Sequence, residues 1–285
     1  MIQEYKLKNN LGEFTNFDVY FPENTYSSKK NPVVLLVHGF RAFKDWGFFP
    51  YFAQKLSQNG FIAVTIDFSL NTLLDKNKSL FDMSRFSKNT VSQQIKEIEL
   101  VINTLDNNFE NNIIKNIEFM NWNKEVYLVG HSLGGALSIV AAENCKQVVK
   151  KLVTINSIYD FDIYTEKQKE KWLETGVKEF FDSNTKQKFV LNSEFLIDRL
   201  TYKNEKSITS IVSHLNLPYL IIHSEADVTV PPKAATILQA AANKNLTRLK
   251  FIKSANHTLG ITHPFIKSNS NLEEVIDLTI NFLKN

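Results

Sequence analysis

The sequence predicts an α/β fold, a mostly parallel sheet of about eight strands with helices on both faces and a small cap insertion. Three observations predict it. Short continuous apolar runs, such as residues 33–37 (Val-Val-Leu-Leu-Val), read as strands buried on both sheet faces. These runs alternate with segments of helical period, which is the pattern of parallel βαβ units. One strand, residues 126–129, runs directly into Gly130-His131-Ser132-Leu133-Gly134 and then into a small-residue helix over 136–142. That arrangement is a strand–turn–helix corner in which the flanking glycines let the two arms approach closely.

The elements follow in order. Residues 2–8 and 14–21 form a strand pair around the turn Asn9-Asn10-Leu11-Gly12. Pro32 precedes the 33–37 strand, which ends at His38-Gly39-Phe40. A helix over 48–58 closes at Asn59-Gly60, and residues 61–68 give the next strand. Ile95, Ile98, Val101, Ile102 and Leu105 carry a helical period over 91–105, with Glu97 and Glu99 read as its solvated face. Strands are expected at 125–129, 152–155, 218–223 and 249–252, and helices at 233–242 and 272–283. The stretch 159–214 is too long for an ordinary connection between two strands. Leu173, Val177, Phe180 and Phe181 fall at i, i+4, i+7 and i+8, so an amphipathic helix is expected there. Leaving the C-terminal side of the sheet, this stretch reads as a cap over the site, with a plain surface insertion as the alternative.

Composition bounds the function. The 285 residues suit one large α/β domain, taken here as 1–285 with the cap inside it. Hydrophobic content of 43% and charged content of 22% are those of a globular protein. A net charge of +3, with lysines dispersed among glutamates, gives no nucleic-acid footprint. No apolar run approaches a membrane span, and the first residues carry no signal pattern, so a cytoplasmic protein with no membrane partner is expected. The lone Cys145 forms no internal disulfide or cysteine metal cluster and reads as a packed thiol. No phosphate-binding glycine loop and no metal spacing is present, so neither a nucleotide nor a metal is expected. The oligomeric state is not fixed by these features.

The strained corner lifts the Ser132 hydroxyl above the sheet edge, where a substrate can reach it. Serine is a poor nucleophile near neutrality and needs a base that is itself oriented by a carboxylate. Asp227, in the loop after the strand that follows the cap, is the expected acid; Glu225, nearer the strand end, is the alternative. His257, just after the last strand, is the expected base, with His263 its rival. His38 and His223 read as structural, and His214 lies on the way out of the cap. The oxyanion donors are then the N–H groups of Leu133 and Phe40, Gly39 allowing close approach. The substrate pocket is expected to involve His131 at the corner and the cap aromatics Trp172, Phe180, Phe181, Phe189 and Phe195.

These pieces resemble an α/β-hydrolase from about residue 14 onward. His38-Gly39-Phe40 followed by Lys44-Asp45-Trp46-Gly47-Phe48-Phe49-Pro50 is similar to the small dienelactone-hydrolase-like and prolyl-oligopeptidase-like esterases. Glu225-Ala226-Asp227 followed by Val230-Pro231 fits the same group. The resemblance implies a Ser–Asp–His triad, no cofactor, and hydrolysis of small carboxylic esters through an acyl-enzyme. Acyl-peptide or amide hydrolysis and thioester hydrolysis use the same triad and are the alternatives; a non-catalytic small-molecule binder is the remaining class. Ser132 stands where true dienelactone hydrolases carry cysteine, and the oligopeptidases' propeller is lacking, so neither dienelactone nor endopeptidase activity is expected.

Overall fold

The computed structural model describes residues 1–22, 30–111, 122–182 and 185–285. The chain opens with the antiparallel pair β1 (Ile2–Lys8) and β2 (Phe14–Tyr20), followed by β3 (Asn31–Val37). Helix α1 (Phe49–Gln58) has Pro50 in its first turn, where a missing N–H does no harm. It buries Phe49, Phe52, Ala53 and Leu56, one face at helical spacing. After β4 (Ile62–Asp67) the chain makes a small excursion of β5 (Leu73–Asp75), β6 (Leu80–Phe81) and α2 (Met83–Phe86). The sequence pattern leaves this hairpin invisible, because its strands are three and two residues long.

Helix α3 (Val91–Asn111) leads to β7 (Trp122–His131), α4 (Leu133–Asn144) and β8 (Val149–Ile155). Then come α5 (Glu166–Thr175), the antiparallel hairpin β9 (Val177–Asp182) and β10 (Gln187–Asn192), α6 (Ser193–Arg199) and α7 (Ile208–His214). The chain closes with β11 (Tyr219–Ser224), α8 (Lys233–Ala241), β12 (Thr247–Ile252) and α9 (Ser270–Lys284). The eight-stranded sheet has the order β1-β2-β4-β3-β7-β8-β11-β12. From β4 to β12 every pairing is parallel. The expected α/β architecture is therefore the one observed.

The continuous apolar strands are explained by two cores. Along β3, Val33, Leu35 and Val37 enter the core that packs against α3, α4, α7 and α8. Val34 and Leu36 enter the opposite core, beneath α1 and α9. Alternation is thus present in the structure but silent in the sequence, since both faces need apolar residues. Helix α4 is buried over Leu133–Ala142 for the same reason, and its short side chains let it lie against β7 and β8.

Two expectations are corrected. Glu97 is not on a solvated face: it is 1% exposed. Its carboxylate accepts from Thr15 Oγ1 at 2.9 Å, the Ser69 N–H at 2.7 Å, Ser69 Oγ at 2.6 Å, Asn9 Nδ2 at 3.1 Å and Gln93 Nε2 at 3.0 Å. A buried carboxylate is tolerated only with such a donor set, and here it ties α3 to β2 and to the loop after β4. The amphipathic helix through Phe181 is also absent. The Thr165–Gln168 capping box starts α5, and Gly176, at φ +73°, ends it. Phe180 and Phe181 therefore lie on β9 and point to opposite faces, so that Phe181 is 63% exposed.

The cap has a core of its own. Trp172, Phe189, Leu191, Phe195 and Leu196 pack with Phe43, Phe81 and Phe86 from the excursion and the β3 loop. Gln187 acts as a strand surrogate between the two hairpins: its Oε1 accepts from the Phe81 N–H at 3.0 Å and its Nε2 donates to the Phe81 carbonyl at 2.6 Å.

Candidate active site

Four loops at the C-terminal edge of the parallel strands meet at Ser132. The serine is the corner between β7 and α4, with φ 56° and ψ −123°. A non-glycine residue there is strained, and the surroundings hold it in place. Its N–H donates to the Ile155 carbonyl at 2.9 Å, and its carbonyl accepts from the Gly135 N–H at 3.0 Å. A side chain at Gly130 would collide with the Gly134 carbonyl, and one at Gly134 with the carbonyls of Val37 and His38. Both glycines are thus required by close approach. Gly39, after β3, comes equally near: a Cβ there would lie 2.9 Å from Ser132 Cβ and 3.4 Å from its Oγ.

The His257 Nε2 lies 3.0 Å from Ser132 Oγ, and its Nδ1 donates to Asp227 Oδ2 at 2.7 Å. Asp227 is buried, and its Oδ1 accepts from the N–H groups of Thr229 and Val230, each at 2.9 Å. Burial pushes this carboxyl up, but the His257 hydrogen bond and the backbone donors outweigh it and hold the group below its ordinary value. It is an anion at neutral pH. His223 secures this loop from below, donating from Nε2 to the Val230 carbonyl at 2.9 Å. Glu225 is exposed, and the carboxylate that meets the histidine is that of Asp227.

The other histidines are engaged elsewhere. His263 accepts the Gly47 N–H on Nδ1 at 3.0 Å and donates from Nε2 to the Lys76 carbonyl at 2.8 Å. It therefore braces the loop after β3. His38 donates from Nδ1 to the Gly39 carbonyl at 2.9 Å, and burial pushes its imidazole down to about 4. His131 corrects an expectation: it is buried, not pocket-lining, and its Nε2–H donates to the His257 carbonyl at 2.8 Å.

Leu133 is the first residue of α4, where an N–H has no intrahelical acceptor. Phe40 follows Gly39, and its half-buried ring meets Phe86 at 5.6 Å, Phe180 at 5.8 Å and Phe195 at 6.1 Å between centroids. Through Phe40 the cap core reaches the serine's neighbourhood. Trp172 does not take part as pocket lining. It is 1% exposed, its Nε1 donates to the Leu191 carbonyl at 3.1 Å, and it stacks on Phe195. Phe181 faces outward, Phe189 and Phe195 are buried in the cap, and Phe180 is the cap aromatic left partly open beside Phe40. Among the described residues no cluster of metal-ligating side chains occurs.

The fold that carries this site is shared with known proteins. Residues 32–193 match the model of the alpha/beta hydrolase fold, and residues 114–285 that of the prolyl oligopeptidase family. The chain belongs to the α/β-hydrolase fold family. Among solved structures, Est1E from Butyrivibrio proteoclasticus is 16% identical, with a TM-score of 0.68 over 99% of this chain and 97% of that one. The esterase domain of a Rhodothermus marinus protein is 16% identical, with a TM-score of 0.63 over 100% and 98%. Alpha/beta hydrolase domain-containing protein 10 from mouse is 13% identical, with a TM-score of 0.69 over 99% and 98%. At such identities the likeness shows the fold alone. A stretch of 133 residues is 26% identical to part of a non-reducing polyketide synthase of Stereocaulon alpinum, covering 46% of this chain and 5% of that protein. No helix among the described residues of this chain is long and apolar enough to cross a membrane.

Proposed function

We propose that the chain is a serine esterase acting on small carboxylic esters, with Ser132, His257 and Asp227 as its triad. The observation that carries this reading is the pair of hydrogen bonds on one imidazole, 3.0 Å to Ser132 Oγ and 2.7 Å to Asp227. Ser132 Oγ attacks the ester carbonyl while His257 Nε2 takes its proton. The tetrahedral oxyanion is held by the N–H groups of Leu133 and Phe40. The Nε2–H then protonates the departing alkoxide, leaving an acyl-serine. Water repeats the sequence: His257 removes its proton, the carboxylic acid leaves, and the proton returns to Ser132. Asp227 keeps Nδ1 protonated throughout, so that Nε2 presents its lone pair to the serine.

The aromatic surroundings of Phe40 and Phe180 support short or aromatic acyl groups. Ferulic acid has been observed bound to Est1E, a protein of the same fold, which makes a feruloyl ester a sensible member of any panel. The prolyl oligopeptidase family match favours a second reading, cleavage of aminoacyl amides by the same triad. The test is a panel of p-nitrophenyl esters of increasing chain length beside feruloyl esters and aminoacyl p-nitroanilides. Short or aromatic esters should give the highest kcat/KM, and a fluorophosphonate should label wild type but not Ser132→Ala. Faster turnover of the anilides than of matched esters would establish the second reading. Labelling that persists in Ser132→Ala would sink both.

A further inference from the structure

We infer that His131 and Asn156 are positioning residues that together clamp the main-chain carbonyl of His257 and so set its imidazole against Ser132. The inference rests on the triad proposed above. The His257 carbonyl accepts from two buried side chains, His131 Nε2 and Asn156 Nδ2, each at 2.8 Å. The two donors arrive from different strands. His131 ends β7 and immediately precedes the serine, while Asn156 follows β8.

Asn156 is itself locked. Its N–H donates to the Ile222 carbonyl at 2.9 Å, and its Oδ1 accepts from the Ser224 N–H at 2.7 Å. Its Nδ2 also lies 3.0 Å from Ser224 Oγ. Its φ of 50° is a left-handed conformation that asparagine tolerates better than most residues. The surroundings thus oblige Asn156 to present its amide to the histidine loop. The strand that carries the acid's loop, the strand after the serine's helix and the loop of the base are joined at one side chain.

His131 supplies the link on the serine side. A carbonyl can only accept, so Nε2 must carry the proton and the tautomer is fixed. Its ring packs edge-on to Phe48 at 5.5 Å and lies 4.9 Å from the His257 ring. Burial, followed by the nearness of His257, pushes His131 down to about 3. It therefore remains neutral and does not oppose the charge that His257 gains during catalysis. Because His131 and Ser132 are adjacent, a displacement of the corner moves nucleophile and base loop together, and their separation is preserved.

The test compares His131→Phe, His131→Gln and Asn156→Asp with wild type on one soluble p-nitrophenyl ester, with Ser132→Ala and His257→Ala as references. Phenylalanine keeps the ring packing without the donor, and glutamine places an N–H at a similar reach. Aspartate at 156 keeps the acceptor for Ser224 and loses the donor to His257. The expected result is a loss in kcat on the order of 10²-fold for His131→Phe and Asn156→Asp, the effect of misplacing a reacting group by about an ångström. KM should change little, fluorophosphonate labelling should slow by the same factor as kcat, and His131→Gln should recover most of the loss. Wild-type kcat in a folded His131→Phe overturns the inference, as does a purely raised KM or a His131→Gln as slow as His131→Phe. Should His131→Phe not fold, wild-type kcat in Asn156→Asp overturns it equally. Full turnover in Ser132→Ala or His257→Ala instead overturns the triad, whatever the clamp variants do.

Discussion

Asp227 gives the sharpest residue-scale prediction. Its Oδ1 is held by two backbone N–H groups and its Oδ2 by His257, so Asp227→Asn retains much of the loop geometry while offering the imidazole a donor in place of an acceptor. The wrong tautomer then faces Ser132, and kcat should fall on the order of 10⁴-fold, as in the serine proteases. His257→Ala should be at least as damaging. His263→Ala should leave kcat within a few-fold and instead lose about 1 kcal/mol for each of its two hydrogen bonds, read as a lower denaturation midpoint. A dead His263→Ala with an active His257→Ala would reverse the choice of base. Ser132, Asp227 and His257 were legible in the sequence as candidates because each sits just past a strand end. The roles of His131 and Asn156 were not, since they depend on side chains meeting the histidine loop across 126 and 101 residues. Nor was the burial of Glu97: a charged residue in a helix reads as solvated until its donors are brought from four other positions.

At the scale of elements, sheet and helices were legible wherever one period persisted for several turns or a full strand. The cap was not, because Gly176 splits an apparent helical stripe into a helix end and a hairpin strand. The same spacing of Leu173, Val177, Phe180 and Phe181 serves two different geometries, and only the left-handed glycine separates them. This changes what Trp172 does. Fully buried and stacked on Phe195, it holds the cap together without lining a pocket. Trp172→Ala should lose about 3–5 kcal/mol of local stability by opening a cavity. Hydrogen exchange should accelerate across α5 through α6 while a small fluorophosphonate still labels Ser132 at near the wild-type rate. Phe180→Ala should behave in the opposite way. It is half-buried beside Phe40, so removing it should shift preference among acyl groups by about 1–3 kcal/mol with little change in cap exchange. If Trp172→Ala alters acyl preference and leaves exchange untouched, the tryptophan is pocket lining after all.

At the scale of the whole molecule, two cores hold a sheet whose C-terminal edge carries every candidate group, and a buried charge cluster anchors the loop after β3 to that edge. Lys44 is its centre. Its Nζ donates to Asp18 at 2.5 Å and to Asp45 at 3.0 Å, and its backbone N–H donates to Asp67 Oδ1 at 2.5 Å. Asp67 ends β4, and burial pushes its carboxyl up to about 7, the Lys44 N–H and ammonium working against that rise. In the unfolded chain the same group ionises near 3.8. Between these values the folded protein keeps a proton that the unfolded chain has released, so the native state binds more protons and stability falls as pH rises. Above about 7 both states are ionised and the penalty is constant. Asp67→Asn keeps an oxygen for the Lys44 N–H and removes the titration. Denaturant midpoints of the two proteins, measured from pH 4 to 8, should nearly coincide at the acid end and separate steadily in favour of the variant, levelling above neutrality. Taking the difference removes the contributions of other titrating groups. A difference that stays flat across this range would mean that Asp67 is ionised throughout, its burial fully offset by Lys44. The loop carrying Gly39 and Phe40 would then be held by charge pairing instead of by a neutral hydrogen bond.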